Sequence, residues 1–257
     1  MTRDIEISRG GGIQSLRLNR AAKKNALTAE MYRALADALQ SGDQAGDVAV
    51  HVLLGSDGVF CAGNDINDFL ASARAGGEAP AEDILRFIRL LPVVDKPLLA
   101  GVDGPAVGIG TTLLFHCDLV YATPSAAFAT PFLDLGLVPE AASSLLAPAR
   151  MGYARAFELL VLGETFSAER AREAGLVNQI VPAPELEKTV LTAAECLAQK
   201  PPEALRLARR LLRADPAAIL ARTDEEAALF RGRLTSPEAL EAFRAFLDKR
   251  PPGVPKP

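Results

Sequence analysis

The sequence predicts an α/β fold, and two patterns indicate it. Short apolar runs of β-branched character, which suit buried strands, alternate with longer segments of helical periodicity. The order strand, helix, strand and loop then begins again at Leu98. With 257 residues, of which 49% are hydrophobic, the chain can bury a substantial core as one large domain or two small ones. We therefore expect a layered core of repeated strand-strand-helix units.

The first part of the chain supplies the first such unit. Alternating apolar residues around a glycine turn predict a hairpin over residues 4–19. Thr28 can cap a helix over 29–39, which Gly42 can end. A strand is predicted over 48–54. A small, polar, glycine-rich segment at 71–80 is expected to be mobile, and a helix with one apolar side is predicted over 82–91.

The second part of the chain is mostly helical after a buried strand at 97–102. A strand is also predicted at 176–182. Apolar positions left over on the last helices are expected to pack on another subunit. The helices are predicted at 143–150, 153–162, from the Ser167 cap to Gly175, 185–199, 202–213, 223–233 and 236–249.

Charge and cysteine content exclude several classes of protein. A net charge of −4 and a pI near 5.4 argue against binding to nucleic acid, which needs a basic surface. Cys61, Cys117 and Cys196 are far apart and indicate neither a disulfide framework nor a zinc site. A reducing compartment is the natural interpretation.

The ends of the sequence do not predict a targeting signal. The first residues alternate like a strand and lack the apolar core of a signal peptide, and no apolar run reaches membrane length. The final residues, Val254-Pro255-Lys256-Pro257, are not a peroxisomal tripeptide. We therefore expect a cytoplasmic protein that has no membrane partner.

The segment 97–146 holds most of the interpretable chemistry. Its strand reaches a helix through Gly104, Gly108 and Gly110, so backbone N–H groups and the positive end of the helix dipole converge on one spot. Such a spot suits an oxygen that carries negative charge. A dinucleotide loop is excluded because Leu113 stands where a third glycine is needed. Close packing at the helix start remains an equally good explanation of the glycines.

Glu140 ends an apolar segment behind a proline. Among Phe132, Leu137 and Val138 its carboxylate would lose water, which would raise its pKa toward the range of a general base. The same pattern also fits an ordinary solvated loop glutamate. Asp134, the nearest second acid, is expected to point outward from its loop.

Other kinds of catalytic site find little support. His51 lies in a predicted strand and His116 in an apolar helix, so both are expected in the core or at a sheet edge. Two histidines without a matched acidic cluster do not predict a metal centre. The G-x-S-x-G nucleophile motif is also absent.

Several short motifs follow one another in a fixed order over about residues 4 to 250. They are Asn19-Arg20, Lys24-Asn25-Ala26-Leu27, Phe60-Cys61-Ala62-Gly63-Asn64-Asp65-Ile66, Gly104-Pro105-Ala106-Val107-Gly108-Ile109, Cys117-Asp118-Leu119-Val120-Tyr121-Ala122, and the run from Thr130-Pro131-Phe132 through Glu140-Ala141-Ala142-Ser143-Ser144. With these motifs the chain resembles the crotonase (enoyl-CoA hydratase/isomerase) superfamily, and most closely the peroxisomal-type Δ3,Δ2-enoyl-CoA isomerases. The resemblance implies a crotonase-like spiral over residues 1–195 and a C-terminal helical trimerisation region over 196–257. It also implies a homotrimer or hexamer and a role in fatty acid β-oxidation.

The resemblance implies an enzyme that shifts the double bond of a 3-enoyl-CoA into conjugation with the thioester. Glu140 would be the catalytic base, and the backbone N–H groups of Asn64 and Ile109 would form the oxyanion hole. Coenzyme A enters as part of the acyl-CoA thioester substrate, so no separate cofactor is expected. Lys24 would meet a CoA phosphate, whereas Lys23 is expected to be solvated. The substrate-binding residues would be Lys24, Ala26, Ala62, Gly63, Asp65, Ile66, Gly110, Phe132 and Leu135.

Two positions separate this chain from the hydratases of the superfamily. Those enzymes need two glutamates to activate water, and this sequence has Thr112 and Phe132 at the two positions. Ala141-Ala142 follows Glu140 where the isomerases usually carry glycine-rich residues, so the pocket is expected to be narrower. The alternatives are another crotonase reaction, such as hydration or dienoyl isomerisation, and an acyl-CoA-binding scaffold without turnover.

Overall fold

The computed structural model describes residues 2–65, 81–248 and 250. Ile66, the segment 71–80 and residues 251–257 lie outside the described residues. The strands, in chain order, are β1 (Ile5–Gly10), β2 (Ile13–Leu18), β3 (Val50–Leu54), β4 (Leu98–Val102), β5 (Pro105–Val107), β6 (Leu119–Ala122), β7 (Ala127–Ala129), β8 (Phe166–Ser167) and β9 (Gln179–Ile180).

The α-helices are α1 (Ala29–Gln44), α2 (Ala81–Leu90), α3 (Ile109–Thr112), α4 (Ser143–Met151), α5 (Tyr153–Leu160), α6 (Ala168–Glu173), α7 (Ala183–Ala198), α8 (Pro202–Leu212), α9 (Pro216–Leu234) and α10 (Pro237–Leu247). Three short 3₁₀ helices cover Ala21–Lys23, Leu113–His116 and Leu133–Leu135. In the part of the chain that the structure describes, no helix has the length and apolar character needed to cross a membrane.

The strands form two sheets among the described residues. Six strands form the larger sheet in the order β1-β2-β3-β4-β6-β9; only the β1-β2 hairpin is antiparallel. The smaller sheet has the order β5-β7-β8. The α/β prediction and the hairpin are confirmed. The smaller sheet was not predicted, because strands of two or three residues are too short to show a period of two.

The larger sheet is covered on both faces. Alternate residues of β3, Val50, Val52 and Leu54, share one apolar cluster with Val190 and Ala194 of α7. The opposite face belongs to the main core, to which α1 and α2 contribute. Because β3 is buried throughout, it appears in the sequence as a continuous apolar run, as strands covered on both faces do.

Three predicted boundaries were wrong. Helix α1 continues past Gly42 to Gln44, and glycine is required at position 42 because a Cβ there would lie 2.5 Å from the Gln14 side chain. Helix α9 begins at Pro216 rather than 223, since the Asp215 carboxylate accepts from the Ala217 N–H (3.0 Å) and caps it. Of the strand predicted at 176–182, only Gln179–Ile180 pairs with β6.

The C-terminal helices pack partly on their own chain. Leu234, Ala239 and Phe243 are buried in the main core, and the Arg233 guanidinium donates to the Gly136 carbonyl at 2.9 Å. Helix α10 therefore lies against the turn that leads to Glu140. The predicted division between residues 195 and 196 falls inside α7, and the assignment of residues 196–257 to a separate helical region stays a prediction.

Candidate active site

Glu140 is buried, with 7% of its surface exposed. The Thr112 hydroxyl, on α3, donates a hydrogen bond to its carboxylate. Burial raises the pKa of Glu140 to about 8; the charge of Glu226 also raises it, whereas the bond from Thr112 lowers it. The solvated-loop interpretation is therefore wrong, and Glu140 has the properties of a base that works near neutral pH.

A buried carboxylate of this kind should reduce stability as pH rises. Below about pH 4, the carboxyl is protonated in both the folded and the unfolded chain. Between there and about pH 8, the folded chain retains a proton that the unfolded chain has lost, so stability falls by about 1.4 kcal/mol per pH unit. We expect Glu140→Gln to lack this loss. Its stability advantage over the wild type should grow from acid pH to about pH 8 in urea denaturation.

The control for this comparison is Asp134→Asn, because Asp134 is exposed in the same turn region. That variant should follow the wild-type curve. Curves for Glu140→Gln and the wild type that ran parallel across the whole pH range would show that Glu140 titrates normally.

The turn after Glu140 has an unusual backbone. Ala141 and Ala142 have φ angles of 57° and 54°, a left-handed conformation that costs a residue with a Cβ about 1–2 kcal/mol. Both alanines are buried, and the ring of His116 donates from Nε2 to the Ala141 carbonyl (2.8 Å). The conformation explains why glycines suit these positions. Tertiary contacts hold the alanines in it here.

The N–H groups of Asn64 and Ile109 are available to a ligand. Ile109 is the first residue of α3, so its N–H has no partner within the helix. Within 2–65, 81–248 and 250, neither amide donates to a protein acceptor. Both groups can therefore donate to an oxygen from outside the chain.

Close backbone packing brings the loops of these two amides together. The Val107 N–H donates to the Cys61 carbonyl at 2.8 Å. A Cβ at Gly110 would lie 2.7 Å from the Cys61 carbonyl oxygen and 2.8 Å from its Cβ. Only glycine fits there without a shift of the loop that leads from Cys61 to Asn64. Gly110 thus serves close approach, which is one of the two explanations that the sequence offers for the glycines of this motif.

The segments 24–27 and 62–65 pair with each other. The Leu27 N–H donates to the Gly63 carbonyl (2.8 Å), and the Asp65 N–H donates to the Leu27 carbonyl (2.9 Å). Arg20 forms an ion pair with Asp65 at 2.9 Å and also donates to the Ala26 carbonyl. The motifs at 19–20 and 24–27 therefore fix the position of the Asn64 loop through these contacts.

The predicted site residues fall into a buried and an accessible group. Gly63, Ile109, Gly110, Phe132 and Glu140 are buried. The partly exposed residues are Ala26, Ala62, Asn64, Asp65 and Leu135, and Lys24 is exposed like Lys23.

Three further predictions concern the burial of two histidines and one aspartate. His51 and His116 are buried and Asp134 is exposed, which confirms the predictions for these three.

Sequence reasoning missed two contacts at the site. The buried Tyr32 of α1 donates its hydroxyl hydrogen to the Asn64 side-chain oxygen. Burial raises the pKa of Tyr32, and the charges of Glu140 and Cys61 raise it further, so this phenol stays neutral near neutral pH. For Thr112 the sequence indicates only the loss of a hydratase carboxylate, although the Thr112 hydroxyl contacts Glu140. Tyr32 resembles any apolar position of α1, so local sequence gives no signal for its role.

The chain matches a family model described as enoyl-CoA hydratase/isomerase over residues 8–255. A crystal structure of an enoyl-CoA hydratase/isomerase from Pseudoalteromonas atlantica T6c superposes with a TM-score of 0.92 at 36% identity, over 98% of this chain and 100% of the other. The prediction of the crotonase fold is thereby confirmed.

Two relatives of different length support the same family. Enoyl-CoA delta isomerase 2 of Rattus norvegicus is 37% identical over 255 residues, which are 97% of this chain but only 65% of the relative. The 1,2-epoxyphenylacetyl-CoA isomerase of Escherichia coli (strain K12) is 34% identical over 94% of both chains. The chain thus spans slightly less than two thirds of the rat protein and nearly all of the bacterial one. With a matching family model and these relatives, the chain belongs to the enoyl-CoA hydratase/isomerase family.

Proposed function

We propose that this protein is an acyl-CoA isomerase that converts a 3-enoyl-CoA into the conjugated 2-enoyl-CoA, in fatty acid β-oxidation. Glu140 removes a proton from C2, which leaves a dienolate, and returns the proton at C4. The observation that carries the proposal is the buried Glu140 carboxylate with its pKa raised to about 8. A carboxylate with that pKa can both accept and return a proton near neutral pH.

The dienolate oxygen needs stabilisation while the proton is on Glu140. In our proposal the thioester oxygen accepts from the N–H groups of Asn64 and Ile109, which have no acceptor in the described residues. Donors aimed at a developing oxyanion typically contribute a factor of about 10²–10³ each in rate. Tyr32, bonded to the Asn64 side chain, would keep this loop in place.

The remaining site residues are assigned to substrate binding. Lys24, which is exposed, would meet a phosphate of the CoA moiety, and the loops at 24–26 and 62–66 would hold the rest of that moiety. Gly110, Phe132 and Leu135 would line the path of the acyl chain. No cofactor besides the CoA of the substrate is required for this proton transfer. A cytoplasmic location and the absence of nucleic-acid and membrane partners remain predictions from the sequence.

Two features favour isomerisation over hydration. Thr112, at one of the hydratase glutamate positions, directs its hydroxyl at Glu140, so no second carboxylate stands there to orient water. Phe132, at the other position, is 6% exposed and presents an apolar ring. A dry pocket with one acid suits a 1,3 proton shift.

The E. coli relative favours a second candidate. Its name describes isomerisation of 1,2-epoxyphenylacetyl-CoA, and its length matches this chain. Turnover of an aryl-epoxide thioester, with little turnover of 3-enoyl-CoA, would favour that candidate.

The test is a direct assay of the purified protein with a 3-enoyl-CoA, followed by the ultraviolet absorbance of the conjugated product. Parallel assays with a 2-enoyl-CoA and with an aryl-epoxide thioester measure the rival reactions. We expect the absorbance to increase with the 3-enoyl-CoA and the other two substrates to show no turnover. Hydration as the main activity, or tight acyl-CoA binding without any product, would overturn the proposal in favour of a hydratase or of a scaffold.

We also propose a homotrimer or hexamer. Leu211 and Leu212 near the end of α8 are 83% and 89% exposed, and Tyr153 of α5 is 73% exposed, so large apolar side chains are left uncovered on one chain. We expect light scattering to give three or six times the 27.2 kDa of the chain. Substitution of both leucines by serine should lower that mass, and a monomeric wild type would contradict the expectation.

A further inference from the structure

A second buried carboxylate is bonded to the helix start that follows Glu140. Glu226 of α9 is 4% exposed, whereas its neighbour Glu225 is exposed and pairs with Arg222 at 3.0 Å. No motif or periodicity in the sequence distinguishes the two glutamates. The fold therefore places one of two adjacent, identical side chains inside the protein.

Glu226 fixes the start of helix α4. Its Oε1 accepts from the Ser144 N–H (3.0 Å) and from the Ser144 hydroxyl (2.5 Å). The N-cap residue of α4 is Ala142, which has no side-chain acceptor, so Glu226 satisfies a free N–H that an N-cap side chain normally satisfies. The same α4 start is bonded to the catalytic turn, because the Ser143 N–H donates to the Glu140 carbonyl at 3.1 Å.

The cap of α4 requires a hydrogen-bond acceptor from Glu226, but it does not require a negative charge. A neutral glutamine oxygen could accept both bonds from Ser144 in the same way. Burial raises the pKa of Glu226, whereas the Ser144 hydroxyl, the N–H groups of Ser144 and Ala142 and the charge of Arg222 lower it. Glu226 acts electrostatically on Glu140, and the charge of Glu140 in turn raises the pKa values of Tyr32 and Cys61.

We propose that Glu226 is a positioning residue of the reaction, which anchors the turn of Glu140 through Ser144 and sets a second negative charge against the base. The proposal rests on the proposed function in that Glu140 is taken as the base. Like charges at short range disfavour ionisation of each other. The charge of Glu226 therefore makes the ionised Glu140 carboxylate a stronger base. Helix α9, in the predicted trimerisation region, then acts on the chemistry of its own chain.

Glu226→Gln separates charge from anchoring, because it retains an acceptor for Ser144. We expect the acid limb of the kcat/KM profile, which reports ionisation of Glu140, to move to lower pH in this variant. The control Glu225→Gln removes the same charge from the next residue, on the surface, and should overlay the wild type. Glu226→Ala removes the anchor as well and should lower kcat by about tenfold to a hundredfold at every pH, with kcat partly restored in the glutamine variant.

A titration independent of turnover separates this proposal from the proposed reaction. Protein carrying ¹³C at the glutamate carboxyl is followed by NMR against pH, and Glu140→Gln identifies the Glu140 resonance. We expect the Glu140 midpoint to fall in Glu226→Gln and to stay in place in Glu225→Gln. An inactive wild type with this coupling intact would refute the reaction alone. A Glu140 midpoint that is the same in all three proteins, or that moves equally in both variants, would overturn the role of Glu226.

Discussion

Glu140→Gln is expected to lower kcat/KM for a 3-enoyl-CoA by about 10²–10⁴-fold, the usual contribution of a general base. Glutamine has nearly the same size and keeps an acceptor for the Thr112 hydroxyl. The loss would therefore come from the missing basic group and not from a cavity or an unpaired donor. Since the amide pair of Asn64 and Ile109 is untouched, we expect binding of a saturated acyl-CoA to change little.

The control for this variant is Asp134→Asn. Asp134 is the nearest other acid in the sequence and is exposed, so its loss should leave the rate within about twofold if Glu140 alone carries the proton. Equal rates for the wild type and Glu140→Gln would remove Glu140 from the mechanism. A large loss in Asp134→Asn would mean that the proton passes through a second acid.

Gly110→Ala should give the second largest effect. A Cβ at this position would lie 2.7 Å from the Cys61 carbonyl oxygen and 2.8 Å from its Cβ, so the Cys61 loop and the start of α3 must move apart. That movement separates the two N–H groups that we assign to the thioester oxygen. Because one such donor is typically worth about 10²–10³ in rate, we expect kcat to fall by about that factor.

Gly46→Ala is the matched control for Gly110→Ala, because a Cβ at Gly46 has no neighbour within 4 Å. It should have wild-type kcat and a similar melting temperature. If Gly110→Ala retained nearly full kcat while remaining folded, the spacing of the two amides would be irrelevant to catalysis, and the assigned oxyanion hole would have to be abandoned.

The predictable parts of the fold are those that depend on local sequence. The hairpin, the buried strands β3 and β4 and the caps at Thr28 and Ser167 follow from periodicity and capping chemistry, and the structure contains each of them. The extension of α1 through Gly42 was not predictable, because a glycine near a helix end usually indicates a stop, whereas this one leaves room for the Gln14 side chain of β2.

The candidate site also has features that local sequence predicts and features that it does not. The apolar neighbours of Glu140 indicated that it could be buried, but the sequence alone favoured a solvated loop, since burial depends on α3 and α9 packing over the turn. Glu226 is 86 positions from Glu140 along the chain, and only the folded structure brings their charges together. The left-handed Ala141 and Ala142 were also beyond prediction, because alanine itself disfavours that conformation.

In the proposed reaction, one dehydrated acid faces the acyl carbons of a thioester, and two backbone amides bind the thioester oxygen. A crystal structure with a bound, unreactive acyl-CoA analogue tests it most directly. We predict the thioester oxygen within hydrogen-bond distance of the Asn64 and Ile109 nitrogens, about 2.7–3.1 Å, with the Glu140 carboxylate beside both C2 and C4. A thioester oxygen bound elsewhere, or a Glu140 carboxylate turned away from the acyl chain, would contradict it.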